Sequence, residues 1–254
     1  MQKEDTPFSR YPELKKLMET GEPVCITFET QEGNTKERLH ETVLSQKTVP
    51  FQGIYPQGIS PEEKIAEKGI EEPPRKSDFL FCELVQKARM GEKFRISGQS
   101  CSPGDYVLGL SEKSPAEYYL RSGRYIDKQA AEKAALSLPR LKRKFCSILI
   151  EPLSLNKGIF DVLILFLKPE RAMRVVQANA YSGGKRTLMD TMGAASICGD
   201  CTVLALEQGM SLSFGCKGSR KHSGYGDFEV PLGMSFEKIE EIEEGLSKLP
   251  ETSK

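Results

Sequence analysis

Residues 82–104, CELVQKARMGEKFRISGQSCSPG, and residues 198–218, CGDCTVLALEQGMSLSFGCKG, carry one pattern twice. Each runs from a cysteine through a helix-like stretch to a glycine, then through a short extended piece to a second cysteine and a glycine turn. The flanking cysteines stand 19 positions apart in the first copy and 18 in the second. In the first copy Leu84, Val85 and Ala88 recur at helical spacing, Gly91 is the stop and Phe94-Arg95-Ile96 is extended. In the second, Cys198 begins a helix reaching about Gln208, and Met210 to Phe214 reads as a strand. Helix followed by strand in both copies points to an α/β fold, with a mixed α+β arrangement as the variant. One compact unit would then be built from two related halves about a pseudo-twofold.

Working outward, a helix is expected from Pro12 to Gly21 and a strand from Pro23 to Phe28. The stretch from Thr30 to Pro74 is polar and rich in Pro and Gly, and predicts loop with a short strand at Val49 to Tyr55 and a short helix at Pro61 to Lys68. Turn chemistry at Cys101-Ser102-Pro103-Gly104 precedes an apolar pattern at Tyr106 to Leu110 that predicts a strand. Pro115 to Leu138 predicts two short scaffold helices split at Ser122-Gly123. Strands follow at Lys144 to Glu151 and Asp161 to Lys168, the second apolar enough to be buried on both faces, and Pro169 opens a helix. The glycine-rich basic run Lys217 to Gly226 reads as loop, Phe228 to Pro231 as an edge strand, and Ser235 caps an amphipathic helix to Leu249. The division is a tail at 1–14, a domain at 15–250 with halves at about 15–138 and 139–250, and a tail at 251–254.

The 254 residues can bury a sizeable core, and 38% apolar with 28% charged residues is a globular composition. Lys plus Arg and Asp plus Glu both total 36, so no overall field attracts nucleic acid. The basic strip Arg140 to Lys144 reads as a solvated segment before a strand. The longest apolar run, Val162 to Leu167, is too short to span a bilayer, and the opening residues lack an apolar stretch. A cytoplasmic location without membrane attachment is the expectation. Seven cysteines there read as reduced thiols, metal ligands or redox residues rather than a disulfide framework.

Cys82-Glu83 before Ala88-Arg89, Cys101 with its Pro-Gly turn, Pro169 with Ala172-Met173 and Gln177-Ala178, and the run Cys216 to Arg220 together resemble the domain-of-unknown-function 169 family of archaea and anaerobic bacteria. The resemblance covers roughly residues 15–235. It implies a cytosolic α/β protein and brings no reaction with it, so chemistry must be argued from the residues.

Thiolate sulfur is the preferred donor for zinc and for iron–sulfur clusters, and Cys82, Cys101, Cys198 and Cys216 supply four such groups. Related halves packed face to face would bring equivalent loops to one interface, giving a Cys-ligated iron–sulfur cluster or metal. The rival is a metal-free domain, binding or enzymatic, that takes an anionic small molecule while the cysteines fill the core. Its contacts would be Ser219, Arg220 and Lys221 beside the glycine amides, with Lys185 and Arg186 closing from the loop Ser182-Gly183-Gly184. That loop lacks the glycine spacing and upstream strand of a nucleotide-binding P-loop. A third reading is thiol redox at Cys198-Gly199-Asp200-Cys201, and Glu83 is either a candidate base or a charge that favours a helix start. Cys25 and Cys146 read as strand residues, and His40 and His222 as solvated. Sequence leaves oligomeric state and reaction open.

Overall fold

The computed structural model describes residues 11–30 and 79–250. Its centre is a six-stranded sheet in the order β2-β3-β1-β4-β6-β5, with every pairing antiparallel. The strands are β1 (Val24–Glu29), β2 (Phe94–Ile96), β3 (Ser147–Pro152), β4 (Val162–Leu167), β5 (Met210–Leu212) and β6 (Val230–Ser235). The helices are α1 (Pro12–Leu17), α2 (Phe81–Arg89), α3 (Ser102–Val107), α4 (Ala116–Arg121), α5 (Lys128–Leu136), α6 (Pro169–Tyr181), α7 (Ala205–Gln208), α8 (Lys217–His222) and α9 (Phe236–Lys248). A π-helical segment, Ser196–Leu204, runs directly into α7. The chain is therefore mixed α/β. The expected strand and helix around residues 49–68 lie outside the described residues.

Side chains on a strand alternate between faces, and that alternation makes three layers here. Val24, Ile26, Phe28, Ile148, Ile150, Val162, Ile164 and Phe166 join a core with α2, α3, α5 and the π segment. Cys25, Leu163, Leu165, Leu167, Leu232 and Met234 join the other core with α1, α6 and α9. Strand β4 is buried along its whole length, as its unbroken apolar run predicts for a strand covered on both faces. Gly233 of β6 lets the π segment settle onto the sheet, since a Cβ there would stand 1.8 Å from the carbonyl oxygen of Cys201.

Three local expectations are corrected. Tyr106 lies in helix α3, which begins at Ser102-Pro103 with Cys101 as its N-cap; proline fits a first turn, and the apolar residues that suggested a strand are one helical face. Lys217 to His222 form α8 rather than loop, because Cys216 and Ser219 close a capping box. Strand β6 is interior, paired with β4 on one side and β5 on the other, and Val230 to Ser235 is longer than the edge strand expected.

The strand order has a further regularity. Exchanging β1 with β4, β2 with β5 and β3 with β6 reverses it onto itself. In each set the short strand that follows a cysteine-bearing helix lies at an edge of the sheet.

Candidate functional site

Each of the four cysteines singled out by the repeated pattern stands at the start of a helical segment. Cys82 is the second residue of α2, Cys101 the N-cap of α3, Cys198 the third residue of the π segment and Cys216 the N-cap of α8. The segments pack crosswise, α2 against α8 and α3 against the π segment, so each contact joins a cysteine-bearing segment of the first copy to one of the second. The thiols come within electrostatic range of one another as a result. Cys82 feels the charge of Cys101 and Cys216, Cys101 that of Cys216, and Cys198 that of the other three.

Local bonds hold each pair. In the first copy the Gln99 side chain accepts the Phe81 N–H at 2.9 Å, and the Ser100 N–H donates to the Phe79 carbonyl at 3.1 Å, tying the start of α2 to the approach to Cys101. In the second, one carboxylate oxygen of Asp200 accepts the hydroxyls of Ser213 and Thr191, both at 2.6 Å. The π segment carrying Cys198 is thereby fixed to the strand exit that leads to Cys216.

Burial governs three of the thiols. It pushes Cys82 up to about 12, with Cys101 and Cys216 adding to it and the Ser223 hydroxyl opposing. It raises Cys101, which has the Gly104 amide in opposition, and it raises the buried Cys198 well above the usual thiol range. Cys216 goes the other way. Burial again opposes its thiolate, but the backbone N–H groups of Ser196, Ser219 and Gly218 together with the Ser219 side chain hold it below the ordinary value. The Ser219 N–H lies 3.4 Å from the Cys216 sulfur. Ser196 follows Ala195, whose φ of 52° is the sole positive value at a non-glycine among the described residues.

Sequence reasoning treated α4 as scaffold and missed Tyr119. Its ring is buried edge-on to Tyr125 at 5.3 Å, and its hydroxyl feels Cys198 and Cys101 yet meets no hydrogen-bond partner among the described residues. The buried Ser196 hydroxyl also lacks a partner. Neither residue had a signal in one sequence, since a tyrosine within a short helix and a serine after alanines are commonplace.

The expected anion contacts are differently placed. Ser219 is buried, donating to the Cys216 carbonyl at 3.1 Å and lying 3.0 Å from the Tyr225 hydroxyl. Arg220 stacks on Tyr225 and donates to the carbonyls of Phe214, Gly226 and Glu229. Lys221 is exposed, and Lys185 is exposed near Glu241 of α9, in the layer across the sheet from the cysteines. Glu83 is half-buried on α2, and His222 half-buried at the end of α8. All seven cysteines are free thiols, with Cys25 and Cys201 deep in the two cores and Cys146 exposed just before β3.

Among the described residues, no three His, Cys, Asp or Glu side chains are close enough to grip a metal ion. Nor is any helix there long and apolar enough to cross a membrane. A family profile described as uncharacterised ArCR, domain of unknown function 169, matches residues 57–245. The chain belongs to this family. A relative with the name uncharacterized protein MJ0308, from Methanocaldococcus jannaschii, is 28% identical over 193 residues, which is 70% of this chain and 83% of that protein. No solved structure matches. This domain-of-unknown-function 169 member thus packs together four cysteine-bearing helix starts, which neither its family nor its relative explains by name.

Proposed function

We propose that Cys82, Cys101, Cys198 and Cys216 ligate an iron–sulfur cluster of the four-iron type between two structurally related halves. The carrying observation is the crosswise packing of the cysteine-bearing helix starts, with Cys198 sensing the other three thiols, Cys82 sensing Cys101 and Cys216, and Cys101 sensing Cys216. A single zinc ion asks for sulfurs about 2.3 Å from one centre, hence about 4 Å from each other. Among the described residues no three His, Cys, Asp or Glu side chains are grouped closely enough to hold a single ion, whereas a cluster of several irons spans a wider set of thiolates. The Ser196, Ser219 and Gly218 amides supply hydrogen bonds of the kind that stabilise thiolate ligands. Such a cluster would supply one-electron chemistry.

The reading of two halves is supported by the self-reversing strand order and the crosswise helix contacts. On that reading the halves divide between β3 and β4, in residues 153–161, rather than near residue 139.

A second reading is favoured by the Cys216 amides alone: N–H groups that hold a thiolate also suit an anionic small molecule beside Ser219 and Arg220. Anaerobic purification, iron and acid-labile sulfide analysis and the visible spectrum separate the two. The cluster reading expects about four irons and four sulfides per chain. Protein that stays metal-free both as isolated and after anaerobic reconstitution refutes it in favour of the anion site.

A further inference from the structure

A phenylalanine ring left in water forgoes the free energy of burial, so exposed rings held on a fixed backbone mark a surface that meets another surface. Phe214 is 64% exposed and Phe228 81%, while every other described phenylalanine is buried or half-buried. The two stand together. Arg220 of α8 donates to the Phe214 carbonyl at 2.8 and 2.6 Å and to the carbonyls of Gly226 and Glu229 at 3.1 and 3.2 Å. One guanidinium thus joins the exit of β5 to the turn that carries Phe228, and it is itself stacked 4.5 Å from the buried Tyr225 ring. The turn is closed from both ends, by the Glu229 N–H on the Gly226 carbonyl at 3.0 Å and the Gly226 N–H on the Glu229 carboxylate at 2.7 Å. Rings presented in this way pay little ordering cost on contact.

We propose that Phe214 and Phe228 form the centre of a contact between two copies of this chain related by a twofold axis. The contact is separate from the cysteine site and does not depend on what that site binds. Both charge signs border the rings: Lys217 and Lys221 are exposed one turn apart on α8, and Asp227 is exposed beside Phe228. A twofold contact is self-complementary, so the lysines of one copy meet Asp227 of the other, and the reverse, while the rings pack between them. A partner of single charge sign would leave one of these signs unmatched. With 36 basic and 36 acidic residues, two copies do not repel at long range. At these exposures the two rings offer roughly a third of the about 800 Å² that each partner buries in a stable dimer.

Sedimentation equilibrium of the purified chain reads the contact. The parent is expected to show a two-chain mass at micromolar concentration. Phe214→Ser with Phe228→Ser should raise the dissociation constant about 100-fold or more, since buried aromatic anchors dominate such contacts. Both rings are exposed, so far-UV circular dichroism of that variant should match the parent's. Lys217→Glu with Lys221→Glu should weaken pairing as well, and adding Asp227→Lys should restore it. A single-chain mass for the parent at every concentration overturns the proposal and leaves the rings to a different partner. A dimer that survives the serine changes, or a charge reversal that Asp227→Lys fails to rescue, overturns it too. Masses beyond two chains reveal a head-to-tail contact and overturn the twofold.

Discussion

Cys101 and Cys216 hold corresponding places in the two copies, each the N-cap of a six-residue helix after an edge strand, yet their thiols behave in opposite ways. Burial wins at Cys101, where the Gly104 amide is the leading opposing group. At Cys216 three amides and a hydroxyl overcome burial. Two of those amides belong to its own helix start, and the third is Ser196, delivered by the left-handed turn at Ala195. The same topology therefore carries two unequal thiols. Position in a fold sets where a thiol goes, and the neighbouring N–H groups set whether it ionises.

The largest effect should come from removing the two cysteines in turn. Cys216→Ala is expected to abolish iron retention, because it removes the thiolate that forms most readily and leaves Ser196 and Gly218 amides facing a void. Cys101→Ala should keep a substantial part of the iron, with a perturbed visible spectrum. Iron per chain after anaerobic reconstitution reads both, and equal loss from the two variants would erase the distinction between the copies.

The inequality was only partly legible in the sequence. The cysteine pattern showed as spacing, and Gly91 and Gly209 showed as stops because a left-handed residue after a helix favours glycine; their φ values are 102° and 85°. Helix α8 did not show, since its glycine and basic residues resemble a loop and its stop-start signal is a cysteine acting where serine or threonine is the familiar cap. Strand β6 was placed at an edge because its pairing with β4, 63 to 73 residues upstream, leaves no local trace. Tyr119 was invisible for the same reason: what makes it unusual is a missing partner, which exists only once the chain is folded.

A medium effect concerns the residue two places after each first cysteine, Leu84 in one copy and Asp200 in the other, both buried. Burial pushes the Asp200 carboxyl up to about 6 from an ordinary 3.8, with the Ser213 and Thr191 hydroxyls opposing. The folded chain then binds the proton more tightly than the unfolded one, so its contribution to stability is full below pH 4 and is lost as pH rises toward 6. The cost on crossing that window is about 3 kcal/mol. Asp200→Asn, whose amide oxygen can still accept both hydroxyls, should flatten that slope in urea titrations of the metal-free protein. An unchanged slope would assign the pH dependence to other groups.

The smallest effect tests the Ala195 turn. A left-handed alanine costs about 1 kcal/mol, and glycine there escapes the cost but gives up one buried methyl worth about 0.8 kcal/mol. Ala195→Gly should therefore leave stability nearly unchanged and keep the Ser196 N–H on Cys216. Ala195→Val cannot take the turn as easily, because a branched Cβ adds about 1 kcal/mol to the strain alanine already carries. It should turn the Ser196 amide away from the sulfur, and alkylation of Cys216 in the metal-free chain at neutral pH should slow to the rate of Cys101. If Cys216 in the valine variant still reacts faster than Cys101, the Ser219 and Gly218 amides alone suffice, and the contrast between the copies lies within α8 rather than in the turn that joins it to the π segment.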